Sequence, residues 1–416
     1  MTRSFLVPLL ALLSAGPVVH ATFFEPSRSL GDWAIATDSP LSGDQSIKFR
    51  VALKPKDLAK VNEALNAVAT PGNPRYRAYL DRAALSALVA PEPAAAAHAE
   101  AWLIAGGGRV VEHSALGDWL TMEATVDNIQ AMFQTTLTRF RNRRTGAEKV
   151  ATTGSYEIPA EVDSVIALVA GMNSFSAFRA TAVAPAGSAT SPQGAPATIT
   201  PDTLASVYGV SDAGSHGSKM GSQAVVEFGN LANFNEADLQ DFFTALAPTL
   251  EGETCGTAYG NNNGDIRASV EANLDVQYIM AAGAWVETFT YKITEGAGIE
   301  DEMLNYAYIV NNESNPALVH SISYGEYGGS YDNATDHQFD HELMKMGLAG
   351  VSVLLASGDN GVGCSASGST EEFDFPDSPH ITMVSLVLSL PLFYLWSIIT
   401  SCCHATAPLL LHMHNT

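Results

Sequence analysis

The apolar positions of the chain fall into two regimes. Between Lys48 and Leu53, charged or small residues alternate with apolar ones, which is the period of a half-buried strand. From Asp57 to Val68 the apolar residues Leu58, Val61, Leu65 and Val68 recur at helical spacing. A second cycle follows: Ala84–Val89 and Ala95–Ile104 read as helices, Gly106–Glu112 leads into a strand, Trp119–Ala124 is another strand, and Val126–Phe133 is a helix. Such repeats predict a compact α+β domain over residues 22–179.

From Ile199 onward the strands lose their alternation. Ser222–Phe228, Leu318–Tyr324 and Val351–Ala356 are near-continuous apolar runs, and Asn235–Leu246 and His337–Gly347 carry helical spacing between them. Strands that are apolar on both sides predict an α/β fold with a parallel sheet covered by helices on both faces. Between the two regimes lies 180–198, built mainly from Ala, Pro, Ser, Gly and Thr without a charge. That composition cannot bury a core, so the segment is expected to be an exposed linker and a processing site.

The first 21 residues hold one charge, Arg3, an apolar run from Phe5 to Leu13, and small residues up to Ala21. This pattern predicts a secretory signal peptide over 1–21, because the run is too short to cross about 30 Å of hydrocarbon. The expected location is therefore extracellular, a route that allows glycans on the sequons Asn312-Glu-Ser314 and Asn333-Ala-Thr335.

Charge sharpens the division into two halves. The 416 residues carry 21 Lys+Arg against 44 Asp+Glu, a net charge of −23. Residues 22–188 hold 16 basic and 17 acidic side chains, whereas 189–416 hold 4 and 27. So acidic a chain excludes nucleic acid and an anionic membrane surface as partners. Twenty-seven carboxylates against 4 basic groups repel one another least when partly protonated, which points to an acidic environment.

Three motifs are candidates for chemistry. In Ser269-Val-Glu271-Ala-Asn-Leu-Asp275 the two carboxylates are four residues apart and share a helix face. If solvated, such a pair is mildly unfavourable; if buried, it shares a proton and serves general acid/base work in acid. Ala356-Ser-Gly-Asp359-Asn-Gly-Val-Gly-Cys364 follows an apolar strand, where an α/β sheet binds ligands, although its glycines also suit a tight turn. His337, Asp340 and His341 share a helix face with metal-motif spacing, but no distant third ligand accompanies them, so a polar outer face is the expected reading. The cysteines lack C-x-x-C spacing, and no metal site is expected.

Taken in order, these motifs resemble the sedolisin family of serine-carboxyl peptidases, in particular its tripeptidyl-peptidase-like branch. Asn73-Pro74-Arg-Tyr76-Arg-Ala-Tyr79-Leu80 and Ile158-Pro159 resemble the family's activation propeptide. Gln223-Ala-Val-Val-Glu227-Phe resembles the first catalytic strand, and Glu271–Tyr278 the catalytic helix. Ser321-Ile-Ser323-Tyr324-Gly325 resembles the substrate-pairing strand, Glu342-Leu-Met-Lys345 the helix after it, and Ser357–Cys364 the oxyanion loop. Phe375-Pro376-x-Ser378-Pro379 resembles the approach to the nucleophile. The resemblance implies a subtilisin-like parallel sheet over 199–383 preceded by a ferredoxin-like propeptide domain over 22–179. It implies Glu271 as base, Asp275 as its orienter and Asp359 as a protonated donor to the oxyanion. Ser321, Ser323, Tyr324 and Gly325 would bind a peptide or protein substrate, and the propeptide would be an intramolecular partner. Its basic residues Arg139, Arg141, Arg143, Arg144 and Lys149 are expected to pair with the acidic half at neutral pH and to let go in acid.

The resemblance stops near Val384. The family's Gly-Thr-Ser nucleophile motif does not occur, and the calcium site that the family carries near its C-terminus has no counterpart, so no cofactor is expected in this chain. Residues 384–416 read as an aberrant apolar tail from a gene-model or splicing fault. The other reading is a membrane anchor, since 381–400 is uncharged and long enough to span a bilayer. The leading function is a secreted, acid-acting serine-type peptidase zymogen, acting as a tripeptidyl-peptidase or an endopeptidase. The alternative is a catalytically inactive product that acts as a propeptide-type inhibitor or chaperone.

Overall fold

The computed structural model describes residues 22–24, 30–143, 146–173, 175, 179–180, 199–210, 221–229, 233–262, 269–294, 301–325, 333–356, 363–364, 371–372 and 383–385. The signal-like segment, most of the linker, Arg144, Asp359, the Phe375–Pro379 motif and residues 386–416 lie outside them.

The N-terminal half runs β1 (Thr22–Phe24), β2 (Trp33–Ile35), β3 (Ser46–Leu53), α1 (Leu58–Ala69), α2 (Arg82–Val89), α3 (Pro93–Ala105), β4 (Arg109–His113), β5 (Trp119–Thr125), α4 (Val126–Phe133), β6 (Thr138–Asn142), β7 (Glu148–Ala151), β8 (Tyr156–Ile158) and β9 (Ile166–Val169). Asp57, Asp81 and Thr125 stop the preceding segments and open α1, α2 and α4, each side chain accepting from the backbone N–H three residues on. Four strands form an antiparallel sheet in the order β4-β5-β3-β9, with helices between β3 and β4 and between β5 and β9. This is the α+β arrangement of strand-helix repeats expected for this segment.

The C-terminal half runs β10 (Arg179–Ala180), α5 (Pro201–Tyr208), β11 (Ser222–Phe228), α6 (Glu236–Leu246), β12 (Gly256–Tyr259), α7 (Val270–Ala282), β13 (Glu287–Ile293), α8 (Glu302–Asn312), β14 (Val319–Ile322), β15 (Tyr324–Gly325), α9 (Asn333–Ala349), β16 (Ser352–Ala356), β17 (Gly363–Cys364), β18 (Glu371–Glu372) and β19 (Met383–Ser385). Six strands pair in parallel in the order β12-β13-β11-β14-β16-β19. The three apolar runs of the sequence are the adjacent strands β11, β14 and β16. The run Leu318–Tyr324 breaks at Ser323, where the chain leaves the parallel ladder and β15 begins.

Alternation along β11 separates the faces of the sheet. Val225 packs with Ala272, Val276 and Phe243 of α7 and α6, whereas Ala224, Val226 and Phe228 join the core around Tyr306 and Leu304 of α8. Helices α8 and α9 form the layer between this sheet and the N-terminal one, so the largest hydrophobic core contains Phe49, Val51 and Trp119 together with Tyr308, Phe339 and Leu343. On the other side α9 meets α1 and α2, where Val61, Val68, Leu85 and Val89 enclose Met344 and Leu348. The Tyr79 ring lies against Gly350, and the Leu80 N–H donates to the Leu348 carbonyl at 2.8 Å.

The contact between the halves also contains a buried polar cluster. The Lys345 ammonium donates to Asp118 at 2.6 Å and to Glu342. Glu342 further accepts from Trp119 Nε1 at 2.9 Å, Gln338 at 2.8 Å and Asn311 at 2.8 Å. Arg50 donates to Asn305 at 2.7 Å and stands 4.4 Å from the centre of the Tyr308 ring. For Arg139 and Arg141 the expected pairing with the acidic half is not what the structure shows: Arg139 pairs with Glu148, and Arg141 with Asp38 and Glu148, all within the N-terminal half. Lys149 stands over the rings of Trp33 and Phe175, and Arg144 lies outside the described residues.

Candidate active site

Helix α7 starts where Ser269 accepts from the Ala272 N–H at 2.9 Å, and its opening turn carries Glu271. Val276 and Met280 anchor the inner face of the helix, and Glu271 and Asp275 lie beside that face, one turn apart. Glu271 is 5% exposed, so the solvated-face reading of this pair does not hold. The Asp275 carboxyl is hydrogen-bonded to both Glu271 and the Ser323 hydroxyl. Burial pushes Asp275 up to about 6, and those two hydrogen bonds oppose the shift.

A third carboxylate completes the group. Glu227 of β11 is 1% exposed and accepts from the Tyr324 hydroxyl at 2.7 Å. Burial, then the charge of Asp275, holds Glu227 well above the usual carboxylate range, while Tyr324 and Lys292 pull the other way. Burial and the charge of Glu227 likewise raise the Tyr324 phenol, so it remains a donor. Lys292 of β13 is the register partner of Glu227 and donates to Asn233.

The sequence-predicted substrate residues divide by role in this arrangement. Ser321 lies inside the ladder between Val225 and Leu354. Ser323 and Tyr324 turn their hydroxyls to the carboxylates. The Tyr324–Gly325 backbone pairs antiparallel with Ala180 and Arg179 of β10, where the chain enters the 180–198 segment. Asp359 lies outside the described residues. Asn312 sits at the contact between the halves, accepting from the Ala115 N–H at 2.6 Å and donating to the Tyr308 carbonyl at 2.7 Å, and Asn333 opens α9.

Among the described residues no group of three or more His, Cys, Asp or Glu side chains could hold a metal ion. His337 is exposed on α9, and Asp340 and His341 are partly buried. No described helix is long and apolar enough to cross a membrane, and most of 381–400 lies outside the described residues.

Sequence reasoning passed over Glu227 and Lys292. The signal for Glu227 was available as a carboxylate in the otherwise apolar strand Ala224–Phe228, where a charged residue is rare unless it is paired. Lys292 could not be placed, because β13 itself was not identified.

Comparison with known proteins adds to this geometry. Residues 34–175 match the pro-kumamolisin activation domain. Over 386 residues, 90% of the chain, it is 28% identical to tripeptidyl-peptidase 1 of Rattus norvegicus, covering 67% of that protein. Tripeptidyl-peptidase 1 of Homo sapiens is 26% identical over 390 residues, 92% of the chain and 68% of the human protein.

Proposed function

We propose, on the premise that the chain belongs to the sedolisin family of serine-carboxyl peptidases in its tripeptidyl-peptidase-like branch, that it is an acid-acting peptidase zymogen of the secretory route. Glu271 is the base toward a serine nucleophile, Asp275 orients it, and Asp359 donates to the oxyanion of the tetrahedral intermediate. The observation that carries this reading is the buried, hydrogen-bonded Glu271–Asp275 pair beside the Tyr324–Gly325 edge. A carboxyl raised by burial keeps its proton in mild acid, where a shared proton between two carboxylates is most readily held.

The β15 edge offers main-chain hydrogen bonds to an extended peptide, the usual mode of β-strand addition. Residues 179–180 fill that edge in the zymogen, which supports blockage of substrate until the 180–198 segment is cut. The buried carboxylates and the acidity of the C-terminal half both favour work in an acidic extracellular setting. Glycans on Asn312 and Asn333 belong to the same reading. At Asn312 a glycosylated amide keeps one N–H, enough to retain its bond to Tyr308.

No Gly-Thr-Ser motif is present, so the chain supplies the carboxylate half of this chemistry. A second reading follows from that absence together with the well-packed prosegment: a catalytically silent product that acts through residues 22–179 as an inhibitor or folding chaperone. An acyl-forming probe applied at pH 4 after linker cleavage separates the two readings. This chain is expected to stay unlabelled, whereas a counterpart carrying the Gly-Thr-Ser region is expected to be labelled and to lose labelling on Glu271→Gln. Labelling indifferent to Glu271→Gln would overturn the proposed base.

A further inference from the structure

A cation is built into the carboxylate site. Lys292 is 5% exposed, and its ammonium is held by Asn233, the residue whose carbonyl accepts from the N–H of the α7 cap Ser269. Strands β11 and β13 run parallel with Glu227 directly beside Lys292, so both side chains leave the sheet on the α7 face. Among the described residues, the titratable groups around this position are Glu227 from β11, Glu271 and Asp275 from α7, Tyr324 from β15, Cys255 from the approach to β12, and Glu236 from the start of α6. Lys292 is the one cation among these described residues. Glu227 has one oxygen bound to Tyr324, while Oε1 is buried without a hydrogen-bond partner. An ionised carboxylate in that state needs a nearby positive charge more than one that is fully hydrogen-bonded.

We propose that Lys292 is a positioning residue of the site, a fixed internal counter-charge that allows three buried carboxyl groups to retain negative charge without collapsing onto full protonation. The attraction acts along the neighbouring strand and through the field of the cluster rather than through contact with a substrate. The ammonium lowers the proton affinity of Glu227 and, through it, decides how many protons the Glu227–Glu271–Asp275 group holds at a given pH. Its relevance to hydrolysis rests on the proposed function; its electrostatic role does not.

The size of its effect depends on pH. Above the range where the carboxyls ionise, removing Lys292 leaves buried negative charge uncompensated. Below that range the carboxyls are neutral and need no counter-charge, so removing it costs less there. A residue that merely fills space would cost the same at both ends.

The test is thermal unfolding of the full chain at pH 4 and pH 7 for Lys292→Met, Lys292→Arg, Glu227→Gln and the double variant Glu227→Gln/Lys292→Met. Lys292→Met is expected to lower the midpoint more at pH 7 than at pH 4, and Lys292→Arg to keep the parental pH profile. The double variant is expected to be less destabilised at pH 7 than Lys292→Met alone. Equal losses at both pH values, or a double variant whose loss is the sum of the two singles, would overturn the proposal. If Lys292→Met does not fold, the double variant and Lys292→Arg still decide it: a double variant that also fails to fold, or a Lys292→Arg profile without the parental pH dependence, refutes it. No step requires peptide turnover, so a failure here is distinguishable from a failure of the peptidase reading.

Discussion

Asp118→Asn should loosen the N-terminal half from the C-terminal one more than any surface substitution. Asp118 accepts from Lys345 at 2.6 Å and from the Ser114 hydroxyl at 2.7 Å, and the Asp118 and Lys345 side chains are 6% and 5% exposed. Burial pulls the Lys345 pKa down, but Asp118 and Glu342 together more than reverse this, so its net shift is upward. Removing one partner of a buried pair costs about 3–5 kcal/mol, because the remaining charge stays desolvated. Glu342 is retained and moderates the effect, which places the expected loss near the lower end, about 3 kcal/mol or roughly a hundredfold in the docking equilibrium. A raised lysine contributes stability below its unfolded pKa and loses it as pH rises through the folded one. Titration of Lys345 is thus an alkaline event and cannot release the prosegment in acid. The assay is amide hydrogen exchange across β5 and α9, read against global unfolding, at pH 5 and pH 7. Faster exchange on both sides of the contact is expected at either pH, with partial recovery in Asp118→Leu/Glu342→Gln/Lys345→Met, where no buried charge of the cluster is left unpaired. Exchange within experimental error of the parent would refute the reasoning.

Three further outcomes follow. Ser323→Ala removes a hydrogen bond that lowers the Asp275 pKa, so Asp275 should titrate above its present value of about 6, measurable by carbon-13 carboxyl NMR; no upward movement would remove Ser323 from the site. Gly350→Ala places a methyl 2.7 Å from the Tyr79 ring at a φ of +89°, so the chain should lose about 1–3 kcal/mol in denaturant titration, and Tyr79→Ala in the same background should relieve part of that loss. His320→Leu should gain stability relative to the parent as pH falls from 6.5 to 4, read as the pH dependence of the difference between their unfolding midpoints; a constant offset would exclude a contribution from His320.

How much of this was legible in the sequence depends on how each element is buried. Strand β11 was bounded residue for residue because its apolar run ends at clear punctuation, and α4 because Thr125 caps it and its apolar stripe is one-sided. Helix α8 left no such mark. Ten of its 11 residues, Glu302–Asn311, are buried because it is enclosed between two sheets, so it shows no apolar stripe against a polar one. Helix α9 was recognised, and its expected polar face at His337, Asp340 and His341 is exposed or partly buried, but nothing local marked Gln338, Glu342 and Lys345 as buried polar residues satisfied by Trp119, Asp118, Asn311 and one another. Spacing could place Glu271 and Asp275 on one face but could not say what that face meets. Burial against β11 and β15 makes them a hydrogen-bonded pair shielded from solvent, and that follows from strand order, which no local pattern encodes.

Two buried groups on opposite faces of the parallel sheet set the acid behaviour against itself. His320 of β14 is fully buried, its Nε2 donating to the Ala317 carbonyl at 2.9 Å and its Nδ1 without a partner between the Tyr291 and Tyr306 rings. Burial lowers its pKa to about 4, so the stability it contributes is present above about 6.5 and is lost as pH falls through 4. Asp275 behaves oppositely: raised to about 6, it contributes stability that is present below its unfolded value of 3.8 and is lost as pH rises through 6. Each shift spans about two units or slightly more, so each is worth on the order of 3 kcal/mol, and over pH 4–6 the two nearly offset. Removing one group exposes the other: His320→Leu should leave stability rising by about 3 kcal/mol as pH falls from 6 to 4, and Asp275→Asn should leave it falling by a similar amount. The double variant His320→Leu/Asp275→Asn should again be as flat as the parent between pH 4 and 6, and a marked slope in it would refute the offset.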